Sequence, residues 1–324
     1  MFLSSELSTE SSIEAVNGAI PPLKLERCAS LAKNIAVLQE YFDFYGYQRL
    51  PCTEQTAHYA GIFESAGIRI FANLWCQQGA EHSALIIHGL FDHTGLFLHV
   101  VEAYLNAGFN VLAFDLPGHG LSQGERACID DFHQYGLAVN DFLALLPPEL
   151  SYSLSATGQS TGCAAIMSYL QHGPITPKSM VYLAPLVRPN HWQKIVIAHR
   201  ICQYFTRRIG RRFSDSSHNP EFTHFLEYTD SLQHPYVELN WIAALRKWVA
   251  GFDELRNCDV PTLLVQGTGD KTIDWKYNIV QIKNKYSALD VKYLESAMHH
   301  LANESEHFRT QMLAMSTDFI RSHL

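Results

Sequence analysis

Short apolar runs rich in β-branched and aromatic residues alternate with longer amphipathic stretches along most of this chain, and that rhythm limits the fold more than any other feature. The runs are SALIIHG (83–89), NVLAFDLPGHG (110–120), SLSATGQS (153–160), SMVYLAP (179–185), PTLLVQGTGD (261–270) and DVKYLESA (290–297), each passing from a predicted strand into a loop. Between several of them lie predicted helices, such as FLHVVEAYLNAG, which stops at Gly108, and DFHQYGLAVNDFLALLPP, which stops at a proline pair. Strands this apolar are buried on both faces and belong to a mostly parallel α/β sheet sandwiched by helices. Ahead of them, HYAGIFESAGIRIFANLWCQ (58–77) alternates around a glycine turn and predicts an antiparallel hairpin at the sheet edge.

The rhythm breaks between Leu186 and Pro261, where no convincing strand is found. Here HWQKIVIAHRICQYFTRRI predicts one helix with Trp192, Ile195, Val196, His199, Cys202 and Ile209 on one face and Ile197, Ile201 and Tyr204 on a second. NWIAALRKWVAGF repeats the design with Trp241, Ile242, Leu245, Trp248, Val249 and Phe252. Helices apolar on two sides either extend the core or form a lid whose inner strip, with Trp192, Ile195 and Trp241, faces a ligand.

Composition excludes several classes. With 47% apolar and 17% charged residues among 324, the chain is globular rather than disordered. A formal net charge of −8 disfavours a nucleic-acid partner, because phosphate binding needs a cationic face. Seven cysteines, odd in number and without a CxxC, fit neither a disulfide framework nor a zinc site. The first residues lack the pattern of a secretory signal, and no segment is apolar enough for a membrane span, so the expected location is cytoplasmic. One local exception is RRIGRR: Arg207, Arg208, Arg211 and Arg212 beside Phe205, Ile209 and Phe213 form either a solvated face or an amphipathic basic helix in peripheral contact with anionic membrane.

The chemistry concentrates at GQSTG. Ser160 stands between Gly158 and Gly162, after a predicted strand and before a predicted helix, which is the context of a nucleophile elbow. Such a turn is tight enough to strain the serine backbone and to demand neighbours without side chains. A serine hydroxyl is a weak nucleophile and needs a histidine base oriented by a carboxylate. In the order expected of this architecture, VQGTGDKTIDW supplies Asp270, with Asp274 as the alternative, and ESAMHHLANE supplies His299 and His300, of which only one can meet Ser160. Two backbone N–H groups must receive the oxyanion; Thr161 supplies one, and Leu90, in the loop LIIHGLFDHTG, the other. His88 in that loop reads as structural.

Taken together, HGLFDHTG, FDLPGHGLSQG, GQSTG, the late GTGD and the histidine of HHLANE resemble the serine α/β-hydrolases of the monoacylglycerol lipase and lysophospholipase group, also grouped with the serine aminopeptidases. The likeness covers about residues 55–324. It implies an α/β-hydrolase fold: a mostly parallel eight-stranded sheet flanked by helices, with a helical cap (187–255) inserted after strand six into a core of 51–186 and 256–324. It also implies Ser160 as nucleophile, Asp270 as acid, His299 as base and Leu90 and Thr161 as oxyanion donors, acting on a small-molecule or lipid ester of a hydrophobic acyl group. A peptidase or amidase would use the same triad, and a non-catalytic ligand sensor is the more distant alternative. The elbow departs from the group's frequent GHSMGG: Gln159 replaces histidine and Cys163 follows the second glycine, where it reads as a small buried hydrophobe. Residues 1–50, with the amphipathic LAKNIAVLQEYF, have no counterpart and are expected to be helical and packed on the body. GHGLSQG (118–124) fails the dinucleotide fingerprint at its third glycine, no HExxH is present, and neither cofactor nor metal is expected.

Overall fold

The computed structural model describes residues 10–25, 31–52, 54–213 and 216–324. The chain begins with α1 (Glu10–Ala19) and α2 (Gln39–Tyr45), then the hairpin β1 (Thr56–Ser65) and β2 (Ile68–Gln77). Alternation follows through β3 (Ser83–Ile87), α3 (Leu98–Asn106), β4 (Asn110–Phe114), α4 (His133–Ala144), the single turn α5 (Pro148–Ser151), β5 (Leu154–Gln159), α6 (Thr161–Tyr169) and β6 (Ser179–Leu183). The segment before the next sheet strand holds α7 (Trp192–Cys202), β7 (Arg208–Gly210), α8 (Pro220–Tyr228), β8 (Tyr236–Glu238) and α9 (Leu239–Gly251). The chain ends with β9 (Thr262–Gly267), α10 (Trp275–Lys285), β10 (Leu289–Leu294) and α11 (Glu306–Arg321).

Eight strands form one sheet in the order β1-β2-β4-β3-β5-β6-β9-β10. The first two pairings are antiparallel and the rest parallel. The uninterrupted apolar runs have their cause here: every residue of β3, β4, β5, β6 and β9 is buried. On the outer strand β10 burial alternates instead, as an edge permits. α3 packs with α11 and α4 with α6, two helical layers that flank the sheet. Strand order reverses between β3 and β5, the switch point at which the following loops diverge and leave a crevice.

Residues before β1 lie against the core. Asn17 of α1 is buried and donates through Nδ2 to Leu121 O (2.7 Å), while Arg69 grips the end of the same helix through Asn17 O and Ile20 O (2.9 and 3.0 Å). From α2, Tyr41 meets Phe71 of β2 edge to face. Residues 1–9 and 26–30, with Cys28, fall outside the described part; the other six cysteines are free thiols.

The insertion between β6 and β9 corrects three expectations. The helix from Trp192 stops at Cys202 rather than running to Ile209, because the Thr206 hydroxyl bonds the backbone of Arg208 (2.8 Å to O) and offers the chain another geometry. RRIGRR is therefore not a basic helix: Arg208–Gly210 pairs antiparallel with Tyr236–Glu238 as a two-stranded ribbon, and Arg211 turns inward. The second apolar strip, Ile197, Ile201 and Tyr204, is exposed. Among the described residues no helix is long and apolar enough to cross a membrane.

Candidate active site

β5 ends at Gln159 and α6 begins at Thr161, so Ser160 alone makes the turn, with φ 52° and ψ −112°. That backbone is strained for a residue with a side chain and persists because its surroundings fix it. Ser160 N donates to Leu183 O (2.9 Å), and Ser160 O accepts from Cys163 N (3.1 Å) and Leu186 N (3.2 Å). The two glycines now have a physical reason. A Cβ on Gly162 would stand 2.1 Å from Ile87 O, and one on Gly158 would stand 2.6 Å from Cys163 N. Only hydrogen at those positions lets α6 dock against the end of β3. Cys163 is fully buried, donates to Gly158 O (3.0 Å), and burial pushes its thiol well up, so it stays protonated and unreactive.

Asp270 lies just beyond β9. Its Oδ1 accepts from Thr272 N (2.8 Å) and Ile273 N (3.2 Å), and its Oδ2 accepts from His299 Nδ1 at 2.7 Å. The two loops are stitched together by Gly269 N donating to Ala297 O (2.9 Å). Burial pushes the Asp270 carboxyl up, but His299 and the two backbone donors outweigh it and hold it below its usual range. Burial likewise disfavours a charged His299, yet the facing Asp270 carboxylate prevails and raises that imidazole. Because Nδ1 carries the proton toward Asp270, the lone pair is on Nε2. Among the described residues neither Nε2 of His299 nor Oγ of Ser160 has a hydrogen-bond partner, and both residues line one cavity.

The alternatives weighed from sequence go elsewhere. Asp274 caps α10 (Tyr277 N, 3.4 Å) and pairs with Arg188 (2.6 Å). His300 donates from Nε2 to Asp92 Oδ1 (3.1 Å) and lies edge-on to Phe222. Burial raises the Asp92 carboxyl, but His300, His88 and Arg211 together pull it to about 2. His88 donates from Nδ1 to Gly89 O (2.7 Å) and accepts Leu116 N on Nε2 (2.8 Å), so both ring nitrogens hold backbone. Gln159 accepts Ala302 N on Oε1 (3.1 Å), bracing the segment after His299.

The cavity is about 490 Å³ and opens between the sheet's carboxyl edge and the insertion. Leu90 and Thr161 line it with Ser160 and His299. Thr161 is the first residue of α6 and its N–H has no acceptor within the helix. Ile195 and Trp241 supply apolar wall, and the Trp241 indole donates to Tyr135 OH (3.2 Å). Trp192 is not in the wall: it sits at the first position of α7 and packs against the core instead. Sequence reasoning missed Arg211 and Arg212 as wall residues, the Arg211 guanidinium lying 3.9 Å over the Phe91 ring. Nothing local in RRIGRR distinguishes these two arginines from Arg207 and Arg208; they follow the ribbon strand Arg208–Gly210 and line the cavity.

The family described as serine aminopeptidase, S33, matches residues 79–306. The chain belongs to that family. It is an α/β-hydrolase and an enzyme of the serine hydrolase class. The monoglyceride lipase homolog of monkeypox virus is 22% identical over 234 residues, spanning 70% of this chain and 85% of the relative. Human monoglyceride lipase is 24% identical over 254 residues, 75% of this chain and 84% of the relative. In three dimensions a soluble variant of monoglyceride lipase from Saccharomyces cerevisiae, solved with a substrate analog, superposes with a TM-score of 0.71 at 18% identity, covering 84% of this chain and 97% of that one.

Proposed function

We propose that this hydrolase cleaves carboxylic esters of hydrophobic acyl groups, of monoacylglycerol or lysophospholipid type, through an acyl-enzyme on Ser160. The carrying observation is the 2.7 Å contact by which Asp270 fixes Nδ1 of His299, in a histidine that lines the same cavity as Ser160. His299 takes the hydroxyl proton as Ser160 attacks the ester carbonyl, and Asp270 stabilises the imidazolium that forms. The backbone N–H groups of Leu90 and Thr161 receive the oxyanion, a contribution worth about 3 kcal/mol per donor in comparable sites. The tetrahedral intermediate collapses, the alcohol leaves with the proton held by His299, and water enters to repeat the cycle on the acyl-enzyme. The apolar wall from Leu186, Ile195, Trp241 and Ile242 suits a hydrocarbon acyl chain, and the monoglyceride lipases among the relatives favour the same substrate class.

Fluorophosphonate labelling together with turnover of p-nitrophenyl esters of rising chain length tests the reading. Labelling that vanishes in Ser160→Ala and turnover that climbs with chain length are expected. Undiminished labelling of Ser160→Ala would remove the nucleophile, and a preference for acetate alone would remove the hydrophobic substrate class.

A further inference from the structure

The loop that follows β3 is held by the core, through His88 and through Asp92 with His300, and on its downstream side by the insertion as well. Upstream of Leu90, His88 donates from Nδ1 to Gly89 O (2.7 Å) and is tied to the core by Leu116 N on its Nε2 (2.8 Å), while Asp92 N closes the loop on Gly89 O (3.2 Å). Downstream, Phe91 O accepts from Gln233 Nε2 (3.0 Å), and His93 donates from Nε2 to Asp230 Oδ2 (3.1 Å). Gln233 and Asp230 belong to the insertion, on the turn after α8, and bond each other (2.8 Å). Asp230 also accepts from Leu232 N (3.1 Å) and, at 2.6 Å, from the hydroxyl of Tyr45, the last residue of α2. Tyr45 lies ahead of residues 79–306, outside the span that matches the family. Its ring also meets His93 edge to face, with centroids 4.7 Å apart.

This cluster is built rather than incidental. The His93 and Asp230 side chains are fully buried, and each carboxylate oxygen of Asp230 has two donors. Arg211 donates to Gln233 Oε1 (2.8 Å) and covers the Phe91 ring, so Gln233 has both ends of its amide engaged. Phe91 itself sits at φ 69°, a left-handed conformation that a bulky side chain holds only when its surroundings over-determine it. Releasing Phe91 O frees that residue to relax, and the Gly89–Leu90 peptide, which presents Leu90 N–H, is joined to Phe91 through the single residue Leu90.

We infer that Asp230 and Gln233 of the insertion, anchored by Tyr45 of the N-terminal extension, position the loop at 89–93 so that Leu90 N–H faces the developing oxyanion. They are positioning residues, acting through Phe91 and His93 without touching substrate. The inference rests on Leu90 being an oxyanion donor, as proposed above. It makes the insertion and the extension parts of the catalytic geometry: displacement of either weakens transition-state binding before it alters the acyl pocket.

The test uses the full-length enzyme with Gln233→Leu and, as the milder change, Tyr45→Phe. kcat and KM are measured on p-nitrophenyl butyrate, with thermal unfolding and the affinity of an alkyl boronic acid, which forms a tetrahedral anion on the serine. Losing one donor outright costs about 10²–10³ in kcat, so a misaimed donor in Gln233→Leu is expected to cost about ten-fold in kcat, with KM little changed and boronate affinity reduced by a similar factor. Tyr45→Phe is expected to show the same split at about three-fold, on the same scale. Ser160→Ala separates the two failures. If it remains active, the underlying mechanism falls. If it is dead while both variants keep wild-type kcat and boronate affinity, or lose only thermal stability, the positioning role falls alone.

Discussion

The central strands of the sheet bury their apolar sequence without exception, whereas the insertion buries only part of it, Trp241, Ile242 and Trp248 among them, and buries charged groups as well. In β3, β4, β5, β6 and β9 the strands are covered on both faces, and apolar sequence translates directly into buried side chains. In the insertion, Ile197, Ile201, Tyr204 and Phe205 are exposed while Asp230, Glu238 and His199 are buried. These three are each satisfied, Glu238 by His234 (2.9 Å), His199 by Leu239 O (3.0 Å) and Asp230 by His93 (3.1 Å). Hydrophobic burial is non-directional, and it suits a core that needs only to be filled. A segment that stands at one height above the candidate site needs directional contacts, and desolvated polar and charged groups supply them, because any other placement leaves them unpaired.

The largest expected effect separates two carboxylates four residues apart, one serving the sheet's carboxyl edge and one tying the insertion's first residues to α10. Asp270→Asn should lower kcat by about 10⁴, since the amide cannot hold His299 in the working tautomer, while thermal unfolding stays close to wild type. Asp274→Asn should leave turnover near wild type and cost about 1 kcal/mol or less, because its pair with Arg188 is partly exposed and asparagine still caps a helix. The pH profile sharpens this. Burial opposes the charged imidazole, but Asp270 raises His299 above its ordinary value, and a protonated base cannot accept the serine proton. Turnover should therefore rise with pH through a midpoint above about 6.5, and in Asp270→Asn the residual activity should show that midpoint moved down. Equal losses in the two asparagine variants would break the distinction.

Glycines give the next contrast, with opposite signs in the two regions. Gly162→Ala drives a methyl into Ile87 O and should cost about 3 kcal/mol in urea unfolding, together with most of the turnover. Gly251 closes α9 in the insertion, at φ −90° and with open space where a Cβ would stand. Gly251→Ala should stabilise by about 0.5 kcal/mol through the unfolded chain. A stabilised Gly162→Ala would mean that α6 does not seat against β3 as described.

How far the sequence could be read follows the same divide. Strand positions were legible because continuous apolar runs have few alternatives once both faces are buried, and GQSTG was legible because a steric demand on two glycines is written within five residues. The 2.7 Å pairing of His299 with Asp270, rather than of His300, follows from where each ring points, since His300 is taken by Asp92. Neighbouring histidines on a loop carry no periodicity that would tell them apart. Within the insertion, the helix ends early at Cys202 and Arg208–Gly210 of RRIGRR is a strand because a partner strand at 236–238 and a threonine hydroxyl decide it, neither visible to a helical-face argument. Tyr45, His93 and Asp230 were illegible for a different reason: the contact joins residues 137 and 185 positions apart, and no local pattern announces it.

The smallest effect is the most direct check on the exposed apolar residues of the insertion. Tyr204 and Phe205 are 79% and 84% exposed, just past the end of α7. Replacing both with serine should change unfolding free energy by no more than about 0.5 kcal/mol and leave turnover of a soluble short-chain ester unchanged, as for surface residues without partners. Phe114 of β4, an aromatic ring of the same kind with no exposure, should cost about 3–5 kcal/mol on truncation to alanine. A double serine variant that loses even half as much as Phe114→Ala would show these rings to be packed in the working protein. The insertion would then follow the same rule as the sheet, and its buried charges would no longer stand as the contacts that set its height.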